Sequence, residues 1–149
     1  MKYSAMALAN AFIQRAREGR VRGLTLDKLQ LLMFYAQSWH YKRSGEALVA
    51  DTFCRWGEGP LVPSIHFEFM EHGKRILDEF ATRGGERFVQ PMLRPSDFDA
   101  WDLVDDIIRV FGPLTDKELA DLACRPGTAW RQATRGGGPI LNEALTLGL

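Results

Sequence analysis

The chain has 149 residues, of which 46% are hydrophobic and 26% charged, and its 19 Lys and Arg balance its 19 Asp and Glu. These values are ordinary for a globular protein and exclude a disordered chain; the length predicts a single domain over residues 1–149. Cys54 and Cys124 form no CxxC motif, and no apolar secretion segment precedes them. We therefore expect free thiols in a reducing cytoplasm.

Charge is distributed unevenly along the chain although the total is zero. Residues 1–43 hold eight basic and two acidic residues, a net charge of +6; residues 44–95 hold six and eight, a net of −2; residues 96–149 hold five and nine, a net of −4. The basic first third is compatible with an acidic partner or with charges that mix in the fold.

The first two predicted elements are helices. Ser4–Glu18 is amphipathic, with a capping serine at its start and Gly19 at its end. Leu24–Arg43 follows, with Thr25 as N-cap and Gly45 as the stop. The middle of this second helix is apolar on nearly every side, which is typical of a helix buried on every side. It is too short and too interrupted by polar residues to be a membrane span.

The next stretch predicts short elements. Thr52–Trp56 has the composition of a small strand and leads into Gly57–Pro63, which must turn sharply. A helix is predicted over Ser64–Glu71, directly after the last proline of that turn. Arg75–Arg83 predicts another short helical segment. Arg87–Gln90 is a strand candidate that would pair with the first strand in a two-stranded ribbon.

The C-terminal third predicts further helices. Ser96–Phe111 is amphipathic, and Thr115–Ala123 opens with a capping box. Thr128–Thr134 predicts one or two more turns, and Pro139–Leu147 predicts a terminal helix. The expected fold is mainly α: a compact bundle of six to seven helices around the buried helix at 24–43, with at most a small two-stranded β element.

The sequence contains no recognisable catalytic set. Asp105 and Asp106 are neighbours on a helix and point apart. Gly136–Gly138 lacks the GK[ST] signature of a phosphate loop. The histidines lack the spacing of a metal motif: His40, His66 and His72. We expect no enzyme activity, no metal and no cofactor.

The aromatic residues at the end of the central helix and around the following turn exceed what a small core requires. Trp and Tyr dominate the energy of protein interfaces, which predicts a protein-binding module. The alternative is that Trp39 and Trp56 pack the central helix against the Gly57–Pro63 turn as core. The residues predicted to bind a partner are Tyr35, Trp39, His40, Trp56, Glu58, Pro60 and Phe67.

A second hypothesis is a DNA-binding regulator. Residues 115–135 have the proportions of a helix-turn-helix, and four side chains would face DNA: Arg125, Arg131, Gln132 and Arg135. The net charge of −4 over residues 96–149 argues against this reading, because positive potential dominates nucleic-acid binding.

Several blocks of sequence point to one family. Ala7-Leu8-Ala9-Asn10 lies in the first helix, and Leu-Thr-x-x-Lys-Leu-Gln-x-Leu-x-x-Tyr-Ala-Gln-x-Trp runs from Leu24 to Trp39. Trp-x-x-Gly-Pro-x-Val-Pro begins at Trp56, and Leu-Thr-x-x-Glu-Leu begins at Leu114 ahead of Trp130-Arg131-x-Ala133. Over nearly the whole chain this order resembles the Panacea domain, also described as a SocA-like antitoxin or phage-associated GepA-like domain. The chain departs from the family pattern at Ala123-Cys124 and Glu58-Gly59.

The resemblance implies an antitoxin of a toxin-antitoxin system. Such a domain neutralises a toxin protein, typically encoded beside it, by direct binding. In some members it acts as an adaptor that delivers the toxin to a protease. The implied partners are therefore a cognate toxin and protease machinery, with neither a nucleic acid nor a membrane among them.

Overall fold

The structure, a computed structural model, describes residues 2–82 and 89–145. Within these residues it contains six α-helices and one antiparallel two-stranded sheet, which confirms the predicted mainly α fold. The elements are α1 Ala5–Arg17, α2 Leu26–Ser44, β1 Cys54–Trp56, β2 Gly59–Leu61, α3 Pro63–Phe69, α4 Phe98–Phe111, α5 Asp116–Ala123 and α6 Ala129–Gln132. Two 3-10 turns, Met70–His72 and Asn142–Ala144, follow α3 and α6.

Helix α2 is the centre of the fold, as predicted. Its N-cap Thr25 accepts a hydrogen bond from the backbone N–H of Lys28, and Gly45 ends it in the left-handed conformation with φ of 73°. Every residue from 28 to 38 is buried. Helix α2 contacts α1, α3, α4, α5 and β2, so its apolar surface is covered on all sides.

Three buried amide side chains attach neighbouring loops to the first two helices: Asn10, Gln30 and Gln37. Each donates through its nitrogen to a loop carbonyl and accepts through its oxygen a loop backbone N–H. Gln30, for example, bonds to both the N–H and the carbonyl of Val62, at 2.9 and 3.1 Å. These amide clasps satisfy buried backbone groups of the loops, and the Val62 carbonyl also accepts from the N–H groups of Ile65 and His66 at the start of α3.

The helices after the sheet begin close to their predicted positions. Pro63 is the first residue of α3, where its missing N–H leaves no hydrogen bond unmade. The capping box of Thr115 and Glu118 is present at the start of α5. Helix α4 begins at Phe98, two residues after the predicted start at Ser96, with Asp97 at the cap position.

The predicted helix over Arg75–Arg83 is wrong for residues 75–82, which form no helix. The backbone N–H of Leu77 donates to the carbonyl of Leu24, and that of Ala81 donates to the side chain of Asn10. Because these donors are used by other elements, the segment cannot form the repeating bonds of a helix. Arg83 lies outside the described residues.

The predicted ribbon has a different second strand. Strand β1 pairs with β2, with Trp56 opposite Gly59 across a two-residue turn. Two strands joined by a two-residue turn pair with each other directly, so β1 pairs with β2 and not with the predicted strand at Arg87–Gln90. Residues 87 and 88 lie outside the described residues, and residues 89 and 90 are not in a strand.

The predicted terminal helix over Pro139–Leu147 is also wrong, apart from the short 3-10 turn at Asn142–Ala144. The chain runs extended beside β1, where Gly137 and Gly138 exchange backbone hydrogen bonds with Arg55, and Ile140 donates to Phe53. Pro139 forms an antiparallel bridge with Cys54, and this extended backbone at the predicted start is incompatible with a helix there. Residues 146–149 lie outside the described residues.

Candidate partner-binding site

A groove of about 290 Å³ opens where the N-termini of α2 and α5 meet the β1–β2 hairpin and α3. We call it the acidic groove. It is lined by Leu26, Asp27, Gln30, Leu31, Glu58, Gly59, Pro60, Leu61, His66, Asp116, Lys117 and Ala120. Its surface therefore combines apolar side chains with three carboxylates.

Two similar helix starts bring the carboxylates of Asp27 and Asp116 together. Thr25 and Thr115 each cap their helix through the side-chain oxygen, and an acidic residue follows in the first turn of each. The hydroxyl of Thr25 donates to Asp116 at 2.9 Å, which joins the two helix starts. Acidic residues are favoured at both positions by the helix dipole.

The hairpin forms the opposite wall of the acidic groove. The clasp between Gln30 and Val62 holds the end of β2 against α2. Pro60 is buried in this wall, and Glu58 is exposed in the turn above it. Two of the predicted partner-binding residues therefore line the groove.

The carboxylates of the acidic groove are only partly neutralised. Partial desolvation raises the pKa of Asp27, and the nearby carboxylates of Asp116 and Glu58 raise it further, against the opposing charges of Lys74 and His66. In residues 2–82 and 89–145, no hydrogen bond or ion pair reaches the carboxylate of Asp27 or Glu58. Lys117, at the rim, pairs with Asp121 at 3.4 Å.

Tyr35 does not belong to an accessible surface. It has no solvent exposure, its ring stacks on Phe111 with centroids 4.2 Å apart, and its hydroxyl donates to the carbonyl of Leu119 at 2.7 Å. Burial raises the pKa of this hydroxyl far above its ordinary range. Tyr35 is a core residue because α2 is apolar on all sides at this level.

Trp39 and His40 lie near the other end of α2, away from the acidic groove. Trp39 is half-buried, edge-on to Phe111, and lies under the guanidinium of Arg43. The Nδ1 of His40 contacts the carbonyl of Glu46 at 2.7 Å. Both side chains thus hold the end of α2 in place. Trp39 packs against α4, and not against the Gly57–Pro63 turn as the core alternative expected.

Trp56 lies on the outer side of the hairpin. Its side chain is 51% exposed, and its carbonyl accepts a hydrogen bond from the indole N–H of Trp130. The ring lies close to Gly137, where a Cβ would come within 3.1 Å of it. Trp56 therefore joins the hairpin to the C-terminal segment through its backbone and leaves its ring on the surface.

Phe67 extends the acidic groove along α3. It is 70% exposed, and its ring lies edge-on to His66, which lines the groove, with centroids 5.7 Å apart. Met70 follows three residues later and is 52% exposed. Residues three apart on a helical turn are neighbours, so these two side chains form one apolar surface beside the groove.

A second groove, of about 830 Å³, lies on the other side of the α5 N-terminus. We call it the basic groove. Asp116 and Lys117 line both grooves. The remaining lining residues are Gly19, Arg20, Val21, Arg22, Gly23, Lys28, Ile108, Arg109, Gly112, Pro113, Leu114 and Thr115.

Several residues of the acidic groove are not among those predicted from the sequence: Leu26, Asp27, Leu31, His66 and Asp116. One signal was available, because Leu24-Thr25 and Leu114-Thr115 both precede an acidic first turn. Two helices with similar capped starts do not reveal that their ends meet, since that depends on how α2 and α5 pack.

The structure does not support a helix-turn-helix over residues 115–135. Helix α6 has four residues, and Trp130 within it is buried. Arg131 is exposed, but its guanidinium donates to the carbonyl of Cys124 and lies over the ring of Trp130. A recognition helix must be long enough to lie in the major groove with free side chains.

Groups of metal-binding side chains are not found among residues 2–82 and 89–145. Cys54 and Cys124 are free cysteines. Burial raises the pKa of Cys124 to about 11, so its thiol stays protonated at neutral pH and is a poor nucleophile.

None of the helices in the described part of the chain is long and apolar enough to cross a membrane. No curated protein and no solved structure matches the chain. A family model described as "Antitoxin SocA-like, Panacea domain" matches residues 29–131, which is more than half of the chain. This range runs from the first turn of α2 into α6 and includes every lining residue of the acidic groove except Leu26 and Asp27. The chain therefore belongs to the family of SocA-like antitoxins with a Panacea domain.

Proposed function

We propose that the protein neutralises a toxin protein, encoded nearby, by binding it directly. The observation that carries the proposal is the family match over residues 29–131, because an antitoxin acts on a toxin partner. We further propose that it acts in the cytoplasm and without catalysis.

The surface around the acidic groove supports binding of a protein. Trp56, Phe67 and Met70 are large apolar side chains with half or more of their surface exposed. Aromatic residues and methionine are enriched in protein interfaces, and a few central aromatic residues carry much of the binding energy. We therefore place the toxin-binding surface at the acidic groove and at these three side chains.

The first test is co-expression with each product of the two flanking genes. One neighbour should arrest growth when expressed alone, should be tolerated together with this protein, and should co-purify with it. If neither neighbour is toxic or binds, the proposal that the toxin is encoded nearby is wrong.

A matched pair of substitutions tests the position of the surface. Phe67 on α3 and Phe98 on α4 are both 70% exposed, so truncation of either should change stability little. Phe67→Ala should weaken toxin binding about tenfold, or about 1.4 kcal/mol, as expected for an aromatic interface residue. Phe98→Ala should bind like the unmodified protein. Equal affinities for the two variants would show that the surface lies elsewhere.

The level of toxin separates two routes of neutralisation. After co-expression and a stop of protein synthesis, toxin that persists in a complex indicates that its working surface is covered. Toxin that disappears only when this protein is present indicates delivery to a protease. Immunoblots over time, with and without the antitoxin gene, distinguish the two outcomes.

A further inference from the structure

We propose that the acidic groove receives one lysine or arginine side chain of the toxin, with its aliphatic stem on the groove floor and its charged end among the carboxylates. The inference rests on the proposed function and adds the chemistry of the contact. It is carried by the shape, the apolar floor and the unpaired charge of this groove.

The floor suits the stem of a long cationic side chain. Leu31, Leu61 and Ala120 line the groove beside Pro60. Lysine and arginine bury their methylene groups on apolar surface while the charged end stays near polar groups. A volume of about 290 Å³ is at the lower end for ligand pockets, which fits one side chain better than a larger ligand.

The rim supplies the opposite charge. Asp27, Glu58 and Asp116 all line the groove, and within the described ranges the first two carboxylates make no hydrogen bond or ion pair. Asp116 uses one oxygen for the hydroxyl of Thr25. Carboxylates that are close to one another and unpaired repel, and a cation bound between them removes this repulsion.

A bound metal ion is the less suitable cation. The described residues contain no group of three acidic, histidine or cysteine side chains close enough to hold a metal. The charged end of lysine or arginine can bridge carboxylates that are too far apart for one ion, because its several N–H donors point in different directions.

An apolar surface lies beside the groove. His66 lines the groove, and its ring contacts the exposed ring of Phe67. The toxin residues beside the inserted cation are therefore expected to be apolar. A segment of alternating basic and apolar residues matches this combination of surfaces.

The test uses the full chain and a probe that does not require the toxin. The probe is the peptide acetyl-Leu-Arg-Leu-amide, and its counterpart has norleucine in place of arginine. In nuclear magnetic resonance titrations, the arginine peptide should shift the backbone amides of Leu31, Gly59 and Ala120. The norleucine peptide should bind at least about tenfold more weakly. Equal binding of the two peptides, or shifts confined to other regions, would overturn the proposal.

Paired variants assign the effect to the groove. The double variant Asp27→Asn, Glu58→Gln removes two rim charges and should lower the affinity for the arginine peptide about tenfold. Asp99→Asn, Asp102→Asn is the control, because Asp99 is likewise an exposed acidic residue in the first turn of a helix, and both residues lie on α4 outside the groove. The control should leave the affinity unchanged. Equal losses in the two double variants would mean that net charge, and not the groove, attracts the peptide.

The same variants separate this inference from the proposed function once the toxin is known. If the unmodified protein neutralises the toxin and the Asp27, Glu58 variant binds it equally well, the inference fails and the proposed function stands. If neither flanking product is neutralised, the proposal that the toxin is encoded nearby fails, and the peptide titration still decides whether the groove binds a cationic side chain.

Discussion

The acidic groove and the basic groove lie on opposite sides of the α5 N-terminus. They differ in how many of their charged side chains are paired within the fold. In the basic groove, two of the three arginines are paired: Arg20 lies 3.6 Å from Asp105, and Arg109 lies 3.3 Å from Asp106. The side chain of the third, Arg22, makes no hydrogen bond or ion pair within the described ranges. The ammonium of Lys28 donates to two backbone carbonyls, and burial lowers its pKa. In the acidic groove, by contrast, two carboxylates have no such partner in the described ranges.

The difference separates structural charge from charge available for binding. An ion paired within the fold is partly neutralised before any partner arrives, so it adds little to recognition. An unpaired ion beside an apolar surface destabilises the free protein slightly. Its neutralisation by an oppositely charged partner therefore contributes more free energy to binding than that of an ion already paired. Net charge along the sequence does not make this distinction.

The largest expected effect comes from removing the clasp that forms one wall of the acidic groove. Gln30→Ala leaves the N–H of Val62 without its partner in a buried position, whereas the Val62 carbonyl still accepts from the N–H groups of Ile65 and His66. The free energy of unfolding should fall by about 1–3 kcal/mol, the cost of one unsatisfied buried group. Urea denaturation measures it, with the exposed Gln132→Ala as control. A loss equal to that of the control would show that the wall is held by other contacts.

A smaller effect should distinguish the charges of the two grooves. Asp105→Asn weakens the pairing with Arg15 at 2.8 Å and Arg20 at 3.6 Å, and should lower the free energy of unfolding by about 0.5–1 kcal/mol, because the pair is partly exposed. Glu58→Gln removes an unpaired charge and should change stability by no more than about 0.5 kcal/mol. The two variants can be compared in the same denaturation experiment. If Glu58→Gln destabilises the protein more than Asp105→Asn, then Glu58 stabilises the fold more than Asp105 does, and the distinction drawn between the two grooves is wrong.

The smallest effect is a difference in the sign of pH dependence. The pKa of Asp27 is raised from 3.8, so the folded state binds this proton more tightly than the unfolded state. The contribution of Asp27 to stability therefore decreases as pH rises from 3.8 through the pKa of Asp27 in the folded protein. The pKa of Glu18 is lowered from 4.5, chiefly by its hydrogen bond to Arg15, so its stabilising contribution is lost as pH falls.

Carbon-detected titration of the side-chain carboxyls measures both values. Asp27 should titrate above the ordinary range for an aspartate and Glu18 below that for a glutamate. Asp27→Asn should make the stability of the protein less sensitive to pH between 3.8 and the raised pKa of Asp27 in the folded protein. An Asp27 pKa at or below 3.8 would contradict the proposed repulsion within the acidic groove.

Local signals in the sequence predicted most of the helices correctly. The threonine caps of α2 and α5, the proline at the start of α3 and the glycine after α2 each act within a few residues, so a single sequence reveals them. The predictions failed where distant backbone groups compete. Leu77 and Ile140 donate to Leu24 and Phe53, and no local pattern indicates such pairings.

The same division applies to the candidate site. Glu58, Pro60 and Phe67 were predicted from the composition of the turn and of α3, and they lie in or beside the acidic groove. Tyr35 was predicted for the surface and lies in the core, because identical aromatic residues serve both purposes. Asp27 was missed as a site residue, because its proximity to Asp116 arises only from helix packing.

The amide clasps have a consequence for how this scaffold can vary. Gln30 contacts the backbone of Val62, and Gln37 contacts the backbone of the loop at Leu48 and Val49. The side chains of Val62, Leu48 and Val49 are buried in the core, but these hydrogen bonds do not depend on the other side chains that the loops expose. The exposed side chains of such loops can therefore be substituted during evolution while the loop backbone keeps its conformation. A new binding specificity can arise in this way without a new fold.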